Sequence, residues 1–508
     1  MHLVWFKRDL RLIDHRPLAD AAKAGPCVGL FVFEPSFWRQ PTMHRAHFDF
    51  VVQSLNELSE RLARLGGQLL IRTGEVVDVL SRLHEELPIT ALYSHQETGD
   101  RVSYARDRSV ATWARDNGVP WHEHPQGGIR RGLRGHENWA HHWETFMQSP
   151  LSPRPEQISC SIELFLGGSP SPEELGVSGA SRDGAQAGGA LAGQRLLRTF
   201  LAERGEHYRA LMGKPEPAAD ACSRLSPHLA WGTVSSRQAF QAARQRRLEM
   251  SLESAPRDTR AWLASLKSFE SRLAWRCHFM QKLESEPDIE HRNMCRAYDG
   301  MREESFDEEC FNAWAVGQTG YPLVDACMRA LHVTGWINFR MRAMLMAFAA
   351  YDLWLHWQRP AQHLASLFLD YEPGIHYPQI QMQSGTTGIN ALRMYDVTKQ
   401  ARECDPQGVF IRRWIPELES VPLEYLHAPW EIPPLTRLLL QGERSYPDPI
   451  VHRREAIARA RKAFTEVRAR PQTGLAVEAV LERHIHPRSD GNGIKQKGRG
   501  VDSGIVSD

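Results

Sequence analysis

The first 124 residues limit the fold most tightly. Short apolar runs occur at His2–Phe6 (HLVWF), Cys27–Phe33 (CVGLFVF), Gln68–Ile71, Ile89–Ser94 and Pro120–His124. They alternate with helical stretches at 16–24, 46–66, 76–86 and 101–117. Residues 46–66 put Phe48, Val52, Leu55, Leu58, Leu62 and Leu65 on one side, the period of an amphipathic helix. Strands that alternate with helices return through crossovers, so a parallel, doubly wound sheet is expected. Ligands of such sheets sit beyond the carboxyl ends of the strands. The segment Ser94–Gly99 (SHQETG) is one such end.

The pattern then changes. Residues 126–194 hold "GGIRRGLRGHENWAHHWETFM", a Pro/Ser/Gly-rich stretch and "GASRDGAQAGGALAG". This reads as an interdomain connector, part of it mobile, that wraps over the surface between domains. From about Gln194 to Phe464 helical periodicity dominates, most clearly at 322–357, where Leu323, Met328, Leu331, Met341, Leu345 and Phe348 recur near helical spacing. The end of the chain, "HIHPRSDGNGIKQKGRGVDSGIVSD", is polar, basic and Gly-rich. The expected plan is an α/β domain at 1–130, a connector at 131–195, an all-α domain at 196–465 and a disordered tail at 466–508.

Sixty-two Lys and Arg against 61 Asp and Glu leave almost no net charge, so a polyanion partner would need a local basic patch. The eight cysteines contain no C-x-x-C pair, which argues against a zinc or disulfide framework and for a reducing compartment. Cys277, Cys295, Cys310 and Cys327 leave an iron–sulfur ligand set open, though their spacing matches no recognisable one. No charged-then-apolar leader opens the chain and no apolar run approaches the roughly 20 residues of a membrane span. A cytoplasmic protein without membrane contact is therefore expected. Nine of the fifteen tryptophans follow residue 230, serving packing, base stacking or electron transfer.

Residues 317–342 (GQTGYPLVDACMRALHVTGWINFRMR) set Arg329, Trp336, Arg340 and Arg342 among apolar residues, with Asp325 the one acid. Charged side chains are seldom buried unless paired, so such a segment suits an anionic ligand or a phosphate backbone. Ser223, Leu225 and Ser226 precede a helix, where N–H groups and hydroxyls suit a pyrophosphate, although such starts also serve as simple caps.

Four blocks in order carry a resemblance. They are "HLVWFKRDLRLIDHRPL" (His2–Leu18), "CSRLSPHLAWGTVSSRQ" (Cys222–Gln238), "GQTGYPLVDACMRAL..TGWINFRMR" and "DPQGVFIRRWIPEL" (Asp405–Leu418). Together they resemble the photolyase/cryptochrome family over roughly residues 1–435. The resemblance implies FAD folded in the helical domain, UV-damaged DNA as partner, and a monomer. It implies blue-light repair of pyrimidine lesions by electron transfer from excited reduced FAD, the lesion base being flipped into a pocket. Cofactor contacts fall by resemblance on Tyr208, Cys222, Ser223, Arg224, Leu225, Ser226, Phe269, Arg272, Arg276, Phe339, Arg342, Asp370, Glu372 and His376. Trp275, Arg342, His376 and Trp357 fall on catalytic or electron-relay positions. An antenna chromophore of folate or deazaflavin type is implied for the α/β domain, with Gln96 and Glu97 as candidates.

Several positions depart from the family pattern. Glu372 replaces a second Asp. His376, a residue that titrates near neutral pH, stands where repair enzymes carry the Asn that faces flavin N5. Ile380 replaces the flavin-proximal tryptophan and Glu304 falls at the distal one, while Trp357 keeps the middle place. Trp336, Trp354, Tyr371 and Tyr377 are substitute carriers. Arg272 stands where repair enzymes carry a Glu, with Glu270 nearby, and Asn338–Phe339 replaces His-Asn. These departures leave the lesion type open and keep two rivals: a photosensor that binds FAD without repair, and a flavoprotein that uses only the α/β fold.

Overall fold

The computed structural model describes residues 1–133, 138–160, 165–252, 259–440 and 446–484. Strands β1 (His2–Phe6), β2 (Cys27–Phe33), β3 (Leu69–Thr73), β4 (Ala91–His95) and β5 (Trp121–His124) form one parallel sheet in the order β3-β2-β1-β4-β5. Helices α1 (Arg16–Ala24), α2 (Arg45–Ala63), α3 (Val76–Glu86) and α4 (Arg101–Asp116) make the crossovers. Successive side chains of a strand face opposite ways. Leu3, Trp5, Val28, Leu30 and Leu70 therefore pack with Leu80, Val110 and Trp113 on one face. Val4, Phe6, Phe31 and Phe33 pack with Leu18, Phe48 and Leu55 on the other. The order reverses beside β1, whose neighbours are β2 and β4. The crevice of a doubly wound sheet opens at such a point.

The connector departs from its expected form. Residues Trp139–Gln148 form helix α5, whose Trp139, Trp143 and Met147 pack with Phe240 of α6 (Ser236–Leu252). Three apolar side chains at helical spacing have a partner there, so this part belongs to the helical core. The remainder is tied down: Ile158 N–H donates to Leu65 O (2.7 Å), Ile71 N–H to Leu166 O (2.8 Å), Gly188 N–H to Gln53 Oε1 (2.7 Å) and Arg182 Nη1 to Leu367 O (2.6 Å).

The helical part includes α7 (Arg260–Ser285), α8 (Pro322–Thr334), α9 (Phe339–Ala347) and α10 (Pro373–Ser384). Helices α8 and α10 each start at a proline and stop at a glycine in the left-handed region, Gly335 (φ 68°) and Gly385 (φ 76°). Proline has no N–H to leave unpaired in a first turn, and glycine has no Cβ to oppose positive φ. Trp38 of the α/β domain stacks on Trp231 at 6.1 Å, which joins the core across the domain seam.

The tail is shorter than the sequence reading gave. Helix α11 runs Arg453–Arg468 and α12 runs Pro471–His484. In α12, Thr473, Val480 and His484 are buried, and Glu286 accepts from Arg483 Nη1 (2.8 Å) and His484 Nε2 (2.7 Å). The polar, Gly-rich composition begins only after this helix, and residues 485–508 lie outside the described part of the chain.

Candidate active site

The site is built on two turns that meet. The first is Gly335–Arg342. Gly335 closes α8, Asn338 precedes α9, and Arg342 sits one turn inside it. Arg342 Nε donates to Ile337 O (2.9 Å), and its two Nη atoms donate to both oxygens of Asp370, each at 2.9 Å. The guanidinium also covers Phe368, 4.3 Å from the ring centroid. Burial pushes the Asp370 carboxyl up, but Arg342 and the Ser226 hydroxyl outweigh it and hold it below the usual carboxylate range. A bidentate charged pair of this kind fixes orientation as well as charge.

The second turn, Leu369–Glu372, enters α10. Glu372 Oε2 accepts from Arg276 Nη2 (2.7 Å), and Arg276 also donates to Leu229 O (3.0 Å). Burial raises Glu372 above its ordinary range despite Arg276 and Arg8. Asp370 and Glu372 are thus two buried acids two residues apart, each held by an arginine from another element.

Tyr208 is buried among Phe200 and Phe269 and bonds Arg272. Arg272 lies 5.2 Å from the Trp275 ring, and Trp275 is half-buried. The turn after Tyr208 reaches the first turn, since Asn338 Nδ2 donates to Met212 O (2.9 Å). Cys222–Ser226 closes the wall. Arg224 has φ 59°, a sparsely populated conformation for a residue with a Cβ. Its guanidinium stands 4.0 Å over Trp336, and Gln186 bonds both its Nε and its carbonyl. Burial pulls Arg224 down to about 10 and pushes the Cys222 thiol up to about 12. Helix Ser226–Ala230 is a single turn, so it presents first-turn N–H groups but little helix dipole.

These residues fit a flavin dinucleotide. Among the described residues neither Arg224 nor Arg272 has an ion-pair partner, which leaves two cations beside Trp336 and Tyr208 for a pyrophosphate. Asn338 Oδ1 is buried without a donor and offers an acceptor. Phe339 is exposed and Trp336 half-buried, as an aromatic wall requires.

His376 packs edge-on to Phe368 and to Tyr371 of the second turn, and Trp357 lies beyond it against Tyr377. His376 donates from Nε2 to Ala361 O (2.8 Å), and burial brings it down to about 4. It is a neutral imidazole at pH 7, which corrects the expectation of titration near neutrality. Trp357 is buried and donates to Asn293 Oδ1 (2.7 Å), 6.4 Å from the Tyr377 ring. Glu270, near Arg272 in the chain, is held by Arg247 at 2.7 and 3.0 Å. Sequence reasoning missed Arg8 and Trp231, although both lie inside blocks that carried the resemblance. The cleft between the domains is lined by Arg8, His95, Gln96, Glu97, Arg276 and Glu372, with Glu97 bound to Arg106 (2.6 Å).

Buried histidines make a pH prediction. Burial holds His44, His228, His363 and His376 down to about 4, and His47 and His95 to about 3. Unfolded, they take up protons near pH 6.5. The unfolded chain then binds more protons than the folded one, so stability rises with pH from about 4 to about 6.5. Burial pushes Glu34, Glu290 and Asp352 up to about 7, which works in the opposite sense over the same range. Glu372 and Asp325 are raised as well, but so many more histidines are lowered, His15, His124, His291 and His484 among them, that the histidines prevail; the depressed Asp370 and Asp14 add their part below about pH 4. The urea midpoint should climb from about pH 4.5 to about pH 6.5; a flat or falling profile would refute this.

Comparison with known proteins settles the family. Residues 2–131 match the DNA photolyase family model, and residues 269–466 match the FAD binding domain of DNA photolyase. The chain belongs to the photolyase/cryptochrome family. The deoxyribodipyrimidine photo-lyase of Streptomyces griseus is 30% identical over 484 residues, 91% of this chain and 98% of that protein. The cryptochrome DASH of Gloeobacter violaceus is 27% identical over 88% of this chain and 92% of its own length. A cryptochrome structure from Synechocystis superposes with a TM-score of 0.81 at 25% identity, covering 91% of this chain and 99% of that one. The FAD-domain match contains Arg272, Arg276, Arg342, Asp370 and Glu372, while Tyr208 and Cys222–Ser226 lie outside it. Among the described residues no helix is long and apolar enough to cross a membrane.

Proposed function

We propose that this protein is a light-driven DNA photolyase that repairs UV-induced pyrimidine lesions. The observation that carries the reading is the pair of buried acids, Asp370 and Glu372, each clamped by an arginine within the match to the photolyase FAD domain. FAD bound here supplies light absorption and electron transfer. Arg342 and Asp370 set a fixed dipole at the wall, and its orientation is not rearranged during reaction. Arg224 and Arg272 neutralise the pyrophosphate. Trp275, half-buried and braced by Arg272, offers a face for a flipped base. DNA contacts are dominated by phosphates and weaken with salt. An antenna chromophore of folate or deazaflavin type belongs at the interdomain cleft beside Gln96. The protein works as a monomer in the cytoplasm.

A cryptochrome-type photosensor is the second reading. Arg272 without a free carboxylate nearby, and Asn338–Phe339 in place of His-Asn, favour it. The deciding measurement is repair of a UV-damaged oligonucleotide by dark-purified protein whose flavin is reduced chemically beforehand. Lesions lost only under blue light are expected. No repair of either lesion class by protein with bound, reduced flavin would transfer the assignment to the photosensor.

A further inference from the structure

The loop that leaves β1, Lys7–Leu12, is locked from within. Asp9 Oδ1 accepts Lys7 N–H (2.7 Å), and Oδ2 accepts from His15 Nε2 (2.9 Å) and His95 Nδ1 (2.7 Å). His15 Nδ1 accepts Leu18 N–H (3.1 Å), so its proton is on Nε2. A metal would need a lone pair at that nitrogen, so this trio is a hydrogen-bonded hub and not a ligand set.

The same loop is clamped from outside by the helical domain. Leu10 N–H donates to Trp231 O (3.2 Å) and Arg11 Nη1 to Gly232 O (3.0 Å). Arg8 is thereby presented across the seam. Its guanidinium lies 4.5 Å from the Trp231 ring centroid, and Nη1 donates to Tyr371 O (3.1 Å) and Glu372 Oε1 (3.4 Å). The residue is 7% exposed, and its Nε and Nη2 have no hydrogen-bond partner. Burying a guanidinium with two donors unpaired costs stability. A neutral side chain would avoid that cost but would bring no charge to Glu372.

We propose that Arg8 is a positioning residue of the flavin site: it reaches from the α/β domain to fix Tyr371–Glu372, so that Glu372 meets Arg276 at the cofactor wall. Asp370 and Glu372 flank Tyr371, so the carbonyl bond to Arg8 restrains both acids at once. Arg8 makes no hydrogen bond to Arg276 and acts on it through Glu372. The proposal rests on the reading that Arg276, Asp370 and Glu372 hold FAD.

The test is FAD dissociation from dark-purified holoprotein, followed by flavin fluorescence, in wild type, Arg8→Gln, Arg8→Lys, Glu372→Gln and the double variant Arg8→Gln/Glu372→Gln. Arg8→Gln should weaken FAD binding about tenfold, and Arg8→Lys, which keeps the charge but not the planar guanidinium over Trp231, should recover part of the loss. In the Glu372→Gln background the same Arg8→Gln change should cost less than about twofold, because positions that act through one another are not additive. Unchanged FAD binding in Arg8→Gln overturns the proposal while the site reading stands. So does full multiplication of the two effects, which marks Arg8 as seam packing only. Unchanged FAD binding in Glu372→Gln overturns the site reading beneath it. If Arg8→Gln does not fold, Arg8→Lys carries the same cycle with Glu372→Gln.

Discussion

Arg342→Ala is expected to destabilise the apoprotein by about 3–5 kcal/mol and to leave it without stoichiometric FAD. The reason lies in what remains. Asp370 is 4% exposed at its side chain and accepts two Arg342 bonds at 2.9 Å. Without Arg342 that carboxylate is a buried, unpaired charge, or it takes up a proton and its depressed titration is reversed. Ser226 offers one hydroxyl, which is far less than a guanidinium. Arg342→Lys should fall between, since an ammonium retains charge but cannot fork to both oxygens and reach Ile337 O. Urea denaturation and the flavin-to-protein absorbance ratio read the two effects separately. A change within about 0.5 kcal/mol, the range of an ordinary surface substitution, would mean that the pair holds nothing together.

Gly232→Ala should destabilise by about 3 kcal/mol and separate the unfolding of the two domains, because strain and overpacking add there. Gly232 has φ +67°, and a Cβ would stand 2.1 Å from Arg8 O and 2.5 Å from Asp9 Cα. Both obstacles are backbone, so no rotamer relieves them. The loop would have to leave Trp231, taking Arg8 away from Tyr371 and Glu372. Gly118→Ala is the matched control: its φ is +66° and nothing lies within 4 Å of its Cβ position. It should show only the backbone penalty of about 1–2 kcal/mol. If the two variants unfold at the same urea concentration, the seam yields without cost and the close approach has no energetic meaning.

Much of the candidate site was legible because its residues fall in short blocks whose local geometry is set by near neighbours. Arg342 follows Gly335 within one loop and one turn, and Asp370 and Glu372 flank Tyr371 before the Pro373 helix start. What the chain order could not supply was the state of each side chain. His376 has the residue type of a neutral-pH titrator, yet full burial and the Ala361 carbonyl fix it neutral. Glu270 lies two residues from Arg272 but faces Arg247. Residues 471–484 were grouped with the polar tail that follows, because an apolar stripe of Thr473 and Val480 is faint until α7 and α11 are there to cover it.

The sequence by itself determined the alternation that makes a parallel sheet, the proline and glycine stops of α8 and α10, and the run of arginines in the segment of the candidate site. All of these are periodicities and backbone preferences felt within a few residues. Only the tertiary structure decided which acid each arginine meets. Arg8 lies 364 positions from Glu372, and Arg276 lies 96 from it. No local rule reaches that far. The partners are chosen when two cores close on Trp38 and Trp231 and the β1 loop settles against Gly232, because a buried charge is tolerated only where packing brings its counterpart to it.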